Sequence, residues 1–105
     1  VLAATPEQAA ELDRMFVERE QRANIALGEQ RVGQAPDNAE YRAFLGGSLA
    51  EAGRPVEAIP HLEAAVRLGD RTAATQGDLG AAKMALGRAA DALGHFQRAV
   101  ALAPD

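Results

Sequence analysis

Laid over itself at an offset of 34 residues, the chain matches without a gap. Leu45 falls on Leu79, Gly46 on Gly80, Gly53 on Gly87, Arg54 on Arg88, Ala58 on Ala92, His61 on His95, Ala65 on Ala99, Val66 on Val100 and Leu68 on Leu102. Glu57 over Asp91, Ile59 over Leu93 and Leu62 over Phe96 are conservative pairs. A period of this length marks stacked supersecondary units, none of which can bury its apolar face alone. It sets the architecture before any single residue is considered.

Each unit reads as two helices, about 39 to 52 and 55 to 68 in one, about 73 to 86 and 89 to 102 in the other. Gly53 and Gly87 stand just past the last apolar residue of each first helix, where a left-handed cap conformation costs glycine nothing. Pro55 suits the first turn of the next helix, whose N–H has no partner to lose. Pro60 lies about one turn inside that helix and is expected to remove a backbone bond and bend it slightly. Gly46 and Gly80 are expected to face Ala58 and Ala92 across each hairpin, bringing the axes to the short end of the roughly 8 to 10 Å range. On that placement, leucine at Gly46 or Ala58 overpacks the hairpin by roughly 1 to 3 kcal/mol.

Composition agrees with small-residue packing. The chain has 105 residues, 48% hydrophobic but only 4% aromatic, with alanine throughout, so its helices must approach closely around small side chains. No Val/Ile/Thr-rich alternating segment offers a half-buried strand, and the class is all-α. The net charge of −4 is mild and the positive charges are scattered singly, which argues against nucleic-acid binding. Without cysteine there is no disulfide framework or thiolate chemistry, and both the cytoplasm and the periplasm remain open as compartments. No apolar run approaches the roughly 20 residues needed to insert across a bilayer. Val1-Leu2-Ala3-Ala4 carries neither an initiator methionine nor a signal-peptide pattern, and Leu102-Ala103-Pro104-Asp105 follows a helix directly, so the chain reads as a piece of a longer protein. Ten arginines against the single Lys83, with abundant Ala and Gly, point to a GC-rich bacterial source.

The spacing Leu45-Gly46, Gly53, Ala58, Leu62, Ala65 resembles the tetratricopeptide repeat, and Leu79-Gly80, Gly87, Ala92, Phe96, Ala99 with Pro104 resembles it more closely. Together the two units, 39–72 and 73–105, cover about two thirds of the chain. The resemblance implies a right-handed α-α superhelix, a solenoid of stacked helix-turn-helix hairpins. This sequence departs from the family at several places. Arg42 and Gln76 replace the large aromatic near the start of the first helix, Leu49 and Lys83 replace a tyrosine, and Asp70 replaces the closing proline of the first unit.

Residues 1–38 fit less well. Thr5-Pro6-Glu7-Gln8 is a strong helix start, with Thr5 as cap, Pro6 at the first position and Gln8 able to close a capping box. Leu12, Phe16 and Ala23 follow on one face, and Ala35-Pro36-Asp37-Asn38 closes the segment in register with Asp70. Counting back from Pro36 sets Ile25 over Ile59 and Val32 over Val66. Against that register, Arg19 stands where the turn glycine belongs, Asn24 and Arg31 where small residues belong, and Gly28 where a large apolar residue belongs. The preferred reading is a degenerate first repeat. Its rival is one long or kinked capping helix from Pro6 to about Arg31, since no strong breaker intervenes.

Nothing in the sequence assembles a catalyst, a metal site or a cofactor site. Gly46-Gly47-Ser48-Leu49-Ala50 lacks the second glycine of a nucleophile elbow and lies inside a predicted helix. His61 and His95 are one repeat apart with no cysteine or clustered carboxylate to complete a metal site, so they read as half-exposed packing histidines. Gly28-Glu29-Gln30-Arg31-Val32-Gly33 lacks the Gly-Lys-Ser/Thr tail of a phosphate loop. Glu18-Arg19-Glu20-Gln21-Arg22 is a solvated helix face.

The first helices of successive repeats line the concave surface of a solenoid, where a partner segment usually lies. By the resemblance, the inward positions are Glu40, Ala43, Phe44, Gly47, Ala50 and Glu51, then Ala74, Gly77, Asp78, Ala81, Met84 and Ala85. Family members that clamp an acidic C-terminal peptide carry lysine, arginine and asparagine there, and this chain has none at those positions. A floor of small residues with Phe44 and Met84 as apolar anchors, rimmed by Glu40, Glu51 and Asp78, suits an apolar segment with basic flanks. The alternative is that these residues contact no ligand and serve packing alone. The expected role is a non-catalytic interaction scaffold in a larger bacterial assembly, such as a secretion or envelope-biogenesis complex. Two alternatives are a docking or regulatory appendage of an enzyme, and self-association through Phe96, Val100 and Leu102 on the last helix.

Overall fold

A computed structural model of the chain describes residues 3–103. Val1, Leu2, Pro104 and Asp105 lie outside the described residues, and with them the family's closing proline. Five helices follow one another: α1 Pro6–Gln34, α2 Ala39–Glu51, α3 Pro55–Arg67, α4 Ala73–Ala85 and α5 Ala89–Leu102. There is no strand among the described residues, and the class is all-α. The four helices after α1 begin at the residues predicted from the repeat and end within one residue of them.

Packing follows the hairpins. α2 lies on α3 and α4 on α5; α1 packs on α2, α3 on α4, and α2 on α4. The molecule is elongated, 54 × 33 × 29 Å. Leu45, Leu62 and Leu79 are its largest fully buried side chains, and Ala58, Ala65 and Ala92 are 0% exposed. These alanines stand where two helices meet, and their short side chains set the approach. Phe96 and Ala99 on α5 are half-buried, whereas Val100 is 77% exposed and Leu102 44%.

The turns inside the two hairpins are the same turn. Gly53 has φ +76° and Gly87 φ +77°, a region that costs residues with a Cβ about 1–2 kcal/mol. In each, the glycine N–H bonds back three residues (Gly53 to Ala50, Gly87 to Met84) and the following arginine N–H bonds back five (Arg54 to Leu49, Arg88 to Lys83, both 2.9 Å). That pair of bonds satisfies carbonyls the helix end would otherwise leave unpaired.

Gly46 and Gly80 are buried as expected, but their partners lie one turn further along than predicted. A Cβ at Gly46 would stand 2.6 Å from Leu62 Cγ, and one at Gly80 2.7 Å from Phe96 Cε1. Ala58 and Ala92 are buried in the same hairpins without being the atoms that need the glycine's missing side chain. The glycines are holes for the large residue of the second helix, so size is matched in reverse between the helices. Pro60 sits inside α3, which runs through it without interruption.

The amino-terminal third departs from the preferred reading. Residues 6–34 form one helix, with no hairpin at Arg19. Arg19 occupies the place of Gly53 and Gly87, and without a glycine to enter the left-handed region the helix continues. Its start is the predicted capping box: Gln8 N–H donates to Thr5 Oγ1 at 3.1 Å and Thr5 N–H donates to Gln8 Oε1 at 2.9 Å. Only the second half of α1 is anchored. Ile25 and Gly28 are buried, Val32 packs against the core, and Gln21 Nε2 donates to the Glu51 carbonyl at the end of α2. Everything from Ala3 to Glu20 is exposed.

Candidate functional site: the face of α2 and α4

α2 and α4 share a surface because glycine permits it. The Asp78 carboxylate of α4 lies across Gly47 of α2, its Oδ2 3.0 Å from where a Cβ at Gly47 would stand. Phe44 and Glu51 lie one turn to either side of Gly47 on α2, so helical spacing carries both onto the face that meets α4. Ala81 follows Asp78 by one turn on α4, and Met84 follows Ala81. Phe44, Gly47 and Asp78 are half-buried, while Glu40, Glu51, Ala81 and Met84 are exposed.

The electrostatics of this face are local. Burial, followed by the nearby Glu51 carboxylate, pushes the Asp78 carboxyl above its usual range. At the other end a cation enters that the sequence reading did not place there. The Arg31 guanidinium of α1 lies 5.6 Å from the Phe44 ring centroid and 5.7 Å from that of Tyr41, within reach of a cation–π attraction. The face therefore carries the carboxylates of Glu51 and Asp78 toward one end, and Arg31 with the exposed Glu40 beside Phe44 at the other.

Behind this face, the two departures Arg42 and Gln76 acquire a structural reason. Arg42 NH1 donates to His61 Nδ1 at 3.1 Å, and in the next unit His95 Nδ1 meets Gln76 Oε1 at 2.8 Å. Each hairpin thus carries a polar bridge from its first helix to its second. Lys83 Nζ approaches His95 Nε2 at 2.9 Å, so Nε2 accepts from lysine and the ring proton sits on Nδ1, donating to Gln76. Burial and then Arg42 push His61 below the usual histidine range, and burial, then Lys83 and Arg98, do the same to His95. The sequence predicts packing histidines at these two positions; the structure places both inside polar bridges. The signal in the sequence is the pairing of each histidine with a polar residue 19 positions earlier, Arg42 with His61 and Gln76 with His95.

Among the described residues no group of three or more His, Cys, Asp or Glu side chains gathers to hold a metal ion, and no helix is long and apolar enough to cross a membrane. No protein-family model matches the sequence, and no curated protein matches it significantly. The five packed helices are compatible with a helical repeat.

Proposed function

We propose that the chain is a tetratricopeptide-type array, its hairpins stacked in a right-handed superhelix, and that it holds a partner protein or peptide along the face of α2 and α4 without catalysing a reaction. The observation that carries this reading is the seating of Asp78 over Gly47. It sets the first helices of the two units against each other, and on the proposed inner face Phe44 and Met84 would offer apolar contact and Glu40, Glu51 and Asp78 charge. Met and aromatic side chains suit adaptable contacts. A segment with an apolar core and a Lys or Arg flank is the chemistry this arrangement favours, its basic end toward Glu51 and Asp78 and away from Arg31.

The test is a peptide array in which one apolar core carries Lys/Arg flanks or Glu/Asp flanks, read with the wild-type chain and with Phe44→Ala/Met84→Ala. Preferential retention of the basic-flanked peptides, lost in a double variant that keeps its helical circular dichroism, is the expected result. Equal retention by wild type and folded variant removes the proposal.

A further inference from the structure

Among the described residues, two features outside the α2/α4 face lack a partner, and their charges are opposite. The first is the amino-terminal half of α1. Leu12, Met15 and Phe16 form one surface with Arg19 and Arg22 at its end, and Phe16 is 64% exposed. At about 100° per residue, Glu11 and Glu18 lie on one flank of Leu12 and Asp13 on the other. From Glu7 to Glu18 the helix carries four carboxylates and one arginine, Arg14, which pairs with Glu11.

The second feature is a channel between α3 and α5, with Leu79 of α4 in its floor and Val66 and Leu102 in its walls. Arg67, Arg71 and Arg98 stand on it, and none of them is ion-paired among the described residues. Arg71 donates to the carbonyls of Val66 and Asp70, and Arg98 lies beside His95. Among the described residues two carboxylates, Glu63 and Asp70, line the channel against three guanidinium groups, and Asp70 is already engaged by Thr72 and Thr75 as well as lying near Arg71.

We propose that α1 of one copy of the chain seats its Leu12–Phe16 face in the α3/α5 channel of another copy, its flanking carboxylates meeting Arg67, Arg71 and Arg98. Complementary charge identifies the occupant: an apolar stripe flanked by Asp13 and Glu18, neither of them ion-paired among the described residues, meets an apolar channel with a basic rim. The contact is between copies, because α1 is a continuous helix held to its own chain only through its second half, which keeps the exposed Leu12–Phe16 face away from its own α3/α5 channel. The two surfaces differ, so the association is heterologous, and whether it closes into a dimer or continues depends on the rotation it imposes.

The test is sedimentation equilibrium of the full chain over a range of concentrations in low and high salt, with two variants, Arg67→Glu/Arg98→Glu and Leu12→Glu/Phe16→Glu. All four positions are exposed, and circular dichroism checks that each variant is folded; if either is not, Arg98→Gln and Phe16→Ser give the same reading. The expected result is a weight-average mass that rises above one chain with concentration and falls back in high salt. Each variant alone stays at one chain, and an equimolar mixture of the two regains association, since each retains the surface the other has lost. A wild-type chain that is monomeric throughout overturns the proposal. So does a mixture that fails to associate, or an association that survives both variants and is abolished by Val100→Glu, which would place the contact on the exposed outer face of α5.

Discussion

Leu62 fills the space that a side chain at Gly46 would need, its Cγ 2.6 Å from the Cβ position, and Phe96 stands in the same relation to Gly80. The same glycine-for-bulk exchange thus holds both hairpins together, and the glycines of α4 offer a contrast within one helix. Gly80→Ala is expected to destabilise the chain by about 1–3 kcal/mol through overpacking against Phe96. Gly77→Ala, where nothing lies within 4 Å, is expected to stabilise it by about 0.8–1 kcal/mol through helix propensity. Urea unfolding followed by circular dichroism measures both, and equal effects would contradict the packing described.

The bridges through His61 and His95 make stability sensitive to mild acid. Both histidines are held below their ordinary value by burial and neighbouring cations, so the unfolded chain takes up protons first. Their contribution is complete above the unfolded value of about 6.5 and is lost as pH falls toward the folded one. Melting temperatures of the wild type are expected to drop between neutral pH and about pH 5, and those of His61→Asn/His95→Asn to change less over the same interval.

Asp70 ties α3 to α4. Its Oδ1 accepts from Thr72 N–H and from the Thr72 hydroxyl, and its Oδ2 from the Thr75 hydroxyl, each at 2.8 Å. Burial pushes this carboxyl up, but these bonds and the nearby Arg71 outweigh it, leaving it below its ordinary value. Its stabilisation is therefore present above about pH 3.9 and is lost as pH falls further. Asp70→Ala is expected to cost about 1–3 kcal/mol at neutral pH, and chemical denaturation at pH 7 and pH 3 would show the difference narrowing in acid.

Asp78 behaves in the opposite sense. Its carboxyl is raised by burial and by Glu51, so the folded chain holds the proton more tightly than the unfolded one. The contribution is favourable below the unfolded value of about 3.9 and is lost as pH rises through the folded value. Asp78→Asn is expected to melt higher than wild type at pH 7, with the gap closing in acid. A variant that melts lower at pH 7 would show that the carboxylate has a partner this arrangement lacks.

Helices α2 to α5 were legible in the sequence because their boundaries are written in backbone chemistry. Gly53 and Gly87 can enter a region other residues avoid, and Pro55 suits the first turn of a helix, where no N–H bond is lost. α1 is less legible, since Thr5 and Gln8 specify its start but Arg19 acts by omission: a missing turn residue leaves both a disguised turn, the preferred reading, and continuation open, and the helix continues. The buried glycines could be assigned to the hairpin interfaces but not to their opposing atoms, because one-turn differences in register do not change the pattern of small residues. The α2/α4 face was legible only as a set of positions. The seating of Asp78 over Gly47 and the stacking of Arg31 on Phe44 join helices whose relative placement no local spacing encodes.

The unbroken run of α1 also makes it a lever. Its first secure tie to the body is Gln21, leaving about 15 residues and roughly 20 Å of rod beyond it at 1.5 Å per residue. A tilt of about 10° where α1 rests on α2 would sweep the tip through roughly 4 Å over a rod of that length. A spectroscopic label at the exposed Ala10 would thus register a tilt at the seam where Gly28 meets Leu45.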